Sequence, residues 1–152
     1  MHFKTIAGIA VLLVLISCQP EQKPEISPTV EYLISDTTVI RPFSDAVRVG
    51  HMLYLSGQIG IDPVTNAIVP GGIKAETRQA MENIKKTLET YGSSLDKVVK
   101  CTVMLDDIRD YADMNTVYVT YFPEHAPARS TFGASGLALG ARVEIECWAI
   151  VE

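Results

Sequence analysis

The sequence predicts an α+β domain, a mixed β-sheet with two helices packed on one face. Three observations carry this expectation. After residue 40, segments with a two-residue apolar period alternate with segments of helical period. Their order is two strands, a helix, a strand, a helix and two strands, which lacks the strict alternation of a doubly wound parallel sheet. Two helices can cover only one face of a sheet of roughly four to six strands, so the other face must be wet or packed on another chain.

The elements follow in chain order. Lys4 precedes an unbroken apolar run, Ile6 to Ile16. A membrane-spanning helix needs about 20 such residues, whereas a run of this length suits the core of a secretory signal. Leu15-Ile16-Ser17-Cys18 then resembles the bacterial lipobox, in which the cysteine is lipidated and becomes the new N-terminus. Residues 1–17 are therefore expected to be a lipoprotein signal peptide. Residues 18–39 are expected to be the lipidated Cys18 and a flexible tether, because 19–31 are rich in Pro and Glu. Residues 40–152 form the domain. Such a protein would be exported and held on a membrane by its lipid, facing the periplasm or the cell exterior. That compartment is oxidising, so Cys101 and Cys147 are expected to be buried or unpartnered.

Ala46 to Val49 and Met52 to Ser56 read as strands, and the Gly50-His51 link between them suits a tight hairpin. Residues 57–72 are rich in Gly, Pro, Asn and Asp and read as loop, with Asn66 suited to a left-handed turn position. From Ile73 to Tyr91 the pattern is helical. Thr77, Ala80, Met81, Ile84, Leu88 and Tyr91 share one face, Glu76 falls among the polar residues elsewhere, and Gly92 supplies the stop. Val98 to Leu105 is a β-branched strand whose Val99, Cys101, Val103 and Leu105 face is expected to be core. Asp106 or Asp107 can cap a helix over about 108–122, with Tyr111, Met114, Val117, Tyr118, Tyr121 and Phe122 as its apolar stripe. Arg129 to Gly133 and Arg142 to Val151 read as the closing strands.

Composition narrows the function. The net charge is −5 and no basic cluster exceeds Lys85-Lys86, which opposes nucleic-acid binding. Three cysteines without a C-x-x-C spacing and three scattered histidines oppose a metal site. Phosphate-loop, dinucleotide, nucleophile-elbow and zincin motifs are absent from the sequence.

Three places can carry chemistry. On the last strand Val143, Ile145, Cys147, Ala149 and Val151 alternate onto a core face, leaving Glu144, Glu146, Trp148 and Ile150 on the other. The two large apolar residues make that second face partly covered, and partial burial raises a carboxylate's pKa and suits it to proton transfer. The same pair also fits an exposed acidic strand face, or glutamates paired with arginines across an interface. Arg129, in Pro127-Ala128-Arg129-Ser130, is the side chain type best matched to a carboxylate, though structural arginines are common. Ser56-Gly57-Gln58 ends a strand where a glycine allows close approach to the backbone.

Taken together, Pro42-Phe43-Ser44, Ser56-Gly57-Gln58-Ile59, Asp62-Pro63, Thr77-Arg78-Gln79, Glu82-Asn83, Val98-Val99-Lys100, Asn115, Tyr118, Tyr121-Phe122, Pro127-Ala128-Arg129-Ser130 and Val143-Glu144-Ile145-Glu146 have the order and spacing of the RidA (YjgF/YER057c) family. The resemblance covers about residues 40–152. It implies a chorismate-mutase-like fold, a homotrimer and ligand clefts between subunits. It also implies hydrolysis of reactive 2-imino acids, such as 2-iminobutanoate and 2-iminopropanoate, to 2-oxo acids and ammonia without cofactor or metal. By the same resemblance Arg129 binds the substrate carboxylate and Glu144 is linked to the catalytic water. Gly57 contributes backbone contacts, Asn115 lies at the cleft and Glu146 is structural. Phe43 and Thr131 are substrate-binding positions at which this chain departs from the usual Tyr and Cys, and Asp45 is a further departure. Export sets this sequence apart from a family that is mostly cytosolic. The alternative reading is a lipoprotein that binds small carboxylates in the same cleft without turnover. A structural or RNA-directed role is a third, opposed by the acidic charge.

Overall fold

The computed structural model describes residues 27–38 and 40–152. The expected signal peptide, Cys18 and the first part of the expected tether lie outside the described residues. Nine named elements follow in order: β1 (Val30–Leu33), β2 (Ala46–Val49), β3 (Met52–Leu55), β4 (Gln58–Ile59), α1 (Gly72–Thr90), β5 (Val98–Leu105), α2 (Tyr111–Tyr118), β6 (Ala128–Gly133) and β7 (Val143–Ile150). The strands form one sheet in the order β1-β2-β3-β7-β5-β6, and β4 also pairs with β7. All pairs are antiparallel except β5 with β6. Both helices lie on one face, so the α+β expectation holds.

The sheet begins earlier than composition indicated. Val30–Leu33, within the expected tether, form β1 and pair with β2 from Val30↔Val49 to Leu33↔Ala46. Backbone pairing, which composition does not report, fixes this edge. Asp45 then pins the segment that follows. Its carboxylate accepts from the Ser35 N–H and hydroxyl at 2.7 and 2.6 Å, from Tyr91 at 2.9 Å and from Arg41 at 3.0 Å. The β2–β3 hairpin turns at Gly50, whose φ of 57° falls where glycine is favoured. Asn66 has a φ of 55°, in the left-handed region expected for it.

Helix α1 buries Thr77, Ala80, Met81, Ile84 and Leu88 of the expected stripe together with Ile73, while Tyr91 at its end is only partly buried. It ends at Gly92, where Ser93 N–H donates to the Leu88 carbonyl at 2.8 Å and Gly92 N–H to the Glu89 carbonyl at 3.4 Å, a Schellman arrangement. Glu76, expected on the polar face, is instead buried and accepts from the Arg142 N–H at 2.7 Å, tying α1 to the start of β7. The helical segment expected over 108–122 is divided. A short 3₁₀ turn at Ile108–Asp110, capped by the Asp107 carboxylate, precedes α2, and a second at Val119–Tyr121 follows it.

The core face of β5 differs from expectation at one residue. Its pairing with β7 shifts by one between Val98 and Lys100, so Val98 is buried with Cys101, Val103 and Leu105 while Val99 turns outward. A bulge inserts one residue and reverses the alternation on one side of it. Cys101 and Cys147 are direct cross-strand partners, fully buried, with sulfurs 2.8 Å apart.

Candidate active site

The register decides where each expected residue points. Arg129 of β6 is opposite Cys101 and Thr131 is opposite Val103, so both lie on the helix-covered face of the sheet. Glu144 is opposite Met104 and Ile59, on the uncovered face. Within one chain the two groups therefore stand on opposite sides of the sheet, with Arg129 on its edge strand.

On the helix-covered side α2 builds the surroundings of Arg129. The guanidinium carbon is 4.6 Å from the centre of the Tyr118 ring and 5.6 Å from that of Tyr111. Both contacts are favourable cation–π geometries. Arg129 Nη2 donates to the Tyr111 hydroxyl at 3.1 Å. Tyr111, Asn115 and Tyr118 are spaced four and three residues apart, which puts them on one helix face. Among the described residues Arg129 makes no ion pair, unlike Arg41, Arg48, Arg109 and Arg142. Four buried side-chain N or O atoms among the described residues lack a hydrogen-bond partner, and three belong here: Asn115 Oδ1, Tyr118 Oη and Thr131 Oγ1. Buried polar atoms are nearly always satisfied, so this cluster has polar capacity left for a ligand, water or a neighbouring chain. The Cys101 thiol lies beside Tyr118, and burial chiefly pushes the Tyr118 phenol far above its usual range.

On the uncovered side Gly57 explains the position of Glu144. The pairing of β7 steps by one residue between Tyr54↔Trp148 and Gln58↔Ile145, so β3 and β4 are one strand interrupted at Ser56-Gly57. A Cβ built on Gly57 would come within 2.0 Å of Glu144 Oε1 and 2.8 Å of its Cδ. Only glycine leaves space for the carboxylate. Beside the backbone contact with a ligand expected of it, Gly57 makes room for the Glu144 carboxylate. Partial burial raises the Glu144 pKa above its usual value, and the negative charge of Glu146 adds to the rise. Trp148, which packs edge-on against Tyr54 at 5.2 Å, and Ile150 continue this face as large, partly exposed apolar residues.

The structure thus joins Arg129, Asn115 and Thr131 in one cluster and Gly57 with Glu144 in another. Phe43 belongs to neither within the chain. It lines a separate groove of about 200 Å³ with Ile34, Thr37, Ile40, Arg41 and Asp45. Tyr111 was legible only as part of an apolar stripe, and Tyr118 as part of that stripe and of the family's motif pattern. Their spacing with Asn115 signals a shared face, but only β6 lying beside α2 shows that the face holds a cation.

Residues 34–151 match the family model described as endoribonuclease L-PSP. The chain belongs to this family, the RidA family. Among RidA-family relatives, a mouse protein named 2-iminobutanoate/2-iminopropanoate deaminase is 40% identical over 127 residues, covering 82% of this chain and 94% of its own length. A RutC family protein of Pyrococcus horikoshii is 49% identical over 113 residues, covering 74% of this chain and 90% of its own. The crystal structure of a yeast protein superposes with a TM-score of 0.76 at 39% identity, over 82% of this chain and all of that one. The RidA-family fold and the expected sequence resemblance therefore agree.

Proposed function

We propose that the protein hydrolyses 2-imino acids such as 2-iminobutanoate and 2-iminopropanoate to 2-oxo acids and ammonia, in clefts between the subunits of a homotrimer. The observation that carries this is the Arg129 guanidinium, which makes no ion pair among the described residues and lies over two tyrosine rings beside the buried, unpartnered Asn115 Oδ1 and Thr131 Oγ1. Such a group binds a carboxylate and fixes its orientation. The mouse relative's name supports the choice of imino acid.

Arg129 and Glu144 lie on opposite faces of one sheet, so a shared cleft needs the Arg129 edge of one chain against the uncovered face of another. A trimer supplies that contact and covers Trp148 and Ile150. In the cleft the Glu144 carboxylate takes a proton from water as the water oxygen attacks the carbon of the protonated imine. The carbinolamine so formed has one C–O bond more and one C–N π bond fewer. Glu144 returns the proton to nitrogen and then takes the hydroxyl proton as the C–N bond breaks, so the carbonyl forms and ammonia leaves; that proton passes on to ammonia or solvent and restores the carboxylate. A pKa above the ordinary carboxylate value suits Glu144 to both transfers. No cofactor enters this sequence of steps.

The test generates the imine with a threonine dehydratase and follows 2-oxobutanoate release. Acceleration by the wild type, lost in Arg129→Ala through weakened binding, is expected. Unchanged release with and without the protein would sink the reading.

The protein is also proposed to be exported and anchored through a lipid on Cys18. The lipobox-like Leu15-Ile16-Ser17-Cys18 after an apolar run supports this. Cys18→Ser should abolish incorporation of labelled palmitate and release the protein from membranes. Export also favours a second reading, a carboxylate-binding lipoprotein without turnover, because imine released in the cytosol hydrolyses before it meets an exported enzyme. Saturable 2-oxobutanoate binding with no catalysis would select that reading. The family description names an endoribonuclease, but a net charge of −5 disfavours RNA.

A further inference from the structure

Tyr111 has no part in the steps above, yet among the described residues its hydroxyl is the one protein group that Arg129 holds by a hydrogen bond. It stands at the first position of α2 and is 43% exposed, so its oxygen can reach both the guanidinium and a ligand beside it. We infer that Tyr111 is the second half of the carboxylate clamp, its hydroxyl donating to one substrate oxygen while Arg129 donates to the other. This rests on the reading that Arg129 binds a carboxylate.

The argument is one of donors and acceptors. A phenol has one proton to give and can accept as well. Arg129 Nη2 donates to the Tyr111 oxygen at 3.1 Å, so that oxygen is used as acceptor and its own proton is directed elsewhere. A hydroxyl that accepts from a cation is polarised and becomes a better donor. The Asn115 side chain also contacts the phenol, and this contact together with Arg129 lowers the Tyr111 pKa below its ordinary value. A neutral phenol and a guanidinium side by side offer two donors to a group with two acceptor oxygens, a carboxylate.

The alternative is that Tyr111 only steadies Arg129. Once ionised the phenol pairs with Arg129 and repels a carboxylate, so affinity falls above its pKa. A steadying role is set apart by kcat, which a misoriented guanidinium lowers, whereas loss of a donor to the substrate carboxylate raises KM alone. Several other groups could contribute a pH effect. Arg129 from β6 faces Tyr111, and Tyr118 of α2 with the Cys101 and Cys147 thiols of β5 and β7 stands behind the guanidinium. The Asp110–Arg142 and Lys74–Asp113 pairs flank the start of α2. The Cys101 thiol is also lowered, chiefly by its contact with Cys147, so it is the main competitor for an alkaline effect.

The full-length protein and its Tyr111→Phe and Arg129→Ala variants should be titrated with 2-oxobutanoate by calorimetry from neutral to alkaline pH. Phenylalanine keeps the ring beside Arg129 and removes only the hydroxyl. Tyr111→Phe is expected to bind about tenfold more weakly. It should also lose the alkaline decline of affinity that the wild type shows, and its KM in imine hydrolysis should rise with kcat nearly unchanged. Wild-type affinity in Tyr111→Phe, or an alkaline decline that persists in it and so belongs to Cys101, would overturn the inference. If Arg129→Ala abolishes binding while Tyr111→Phe does not alter it, the clamp fails and the proposed function stands. If binding follows the expected pattern but no imine is hydrolysed, the clamp stands and the deaminase reading fails.

Discussion

Glu144 and Gly57 are a matched pair, because the carboxylate occupies the space that any larger residue 57 would need. Gly57→Ala should therefore displace Glu144 and lower kcat/KM in the imine assay by about a hundredfold, the scale of a misplacement of about 1 Å. Its melting temperature should change little if the carboxylate swings outward. Glu144→Gln should keep 2-oxobutanoate binding and lose about 10²–10⁴ in kcat. The pH dependence follows from the direction of the shift. Burial, then Glu146, raise the pKa above 4.5, so the charged base is lost at a higher pH than for a free glutamate. The acidic limb of kcat/KM should lie above that value and move down in Glu146→Gln, which removes the neighbouring charge. A limb unmoved in Glu146→Gln would separate the two carboxylates electrostatically.

Among the elements, β1 depends most on a single side chain. Two short edges meet at Asp45, which holds Ser35, Arg41 and Tyr91. Burial alone would raise this carboxylate's pKa, but the Ser35 and Tyr91 hydrogen bonds and Arg41 outweigh it and hold it below its usual value. A depressed carboxyl stabilises the fold above its unfolded pKa and ceases to do so as pH falls through the folded one. Asp45→Ala should cost about 1–3 kcal/mol at neutral pH and speed amide exchange in residues 30–35, with the difference from wild type shrinking in acid. Equal exchange in both proteins would show that β1 is held by its pairing with β2 alone. The elements also show where pattern reading ends. The α1 stripe and its Gly92 stop were legible because helical period and glycine chemistry are local. Val99 was misplaced because a bulge is a property of two strands, and Glu76 because its partner, Arg142, is 66 residues away.

At the scale of the molecule, the uncovered face is the consequence of having two helices for one wide sheet. Trp148, Ile150 and Phe132 lie on it partly exposed, in continuity with Glu144. Trp148→Glu combined with Ile150→Glu should dissociate the proposed trimer, read as a threefold fall in mass by light scattering, and abolish turnover while the monomer keeps its helix content. A wild type that is monomeric at micromolar concentration would remove the shared cleft. The protein should also keep Cys101 and Cys147 unreactive toward thiol reagents until unfolded, since both are fully buried.

The sequence by itself determined the α+β class, both helices, five of the seven strands among the described residues and the family, and missed β1 and β4. It also singled out Arg129, Glu144, Gly57, Asn115 and Thr131. The elements and the Arg129, Glu144 and Gly57 candidates follow from periodicity, turn chemistry and residue type, which are local along the chain, whereas the family, Asn115 and Thr131 follow from the resemblance of motifs in order and spacing. Only the tertiary structure decided that Arg129 and Glu144 lie on opposite faces, that Gly57 serves to admit the Glu144 carboxylate, and that Tyr111 and Tyr118 hold the guanidinium. Each of these depends on strand register and on which helix packs beside which edge, and neither is encoded in any single segment of sequence.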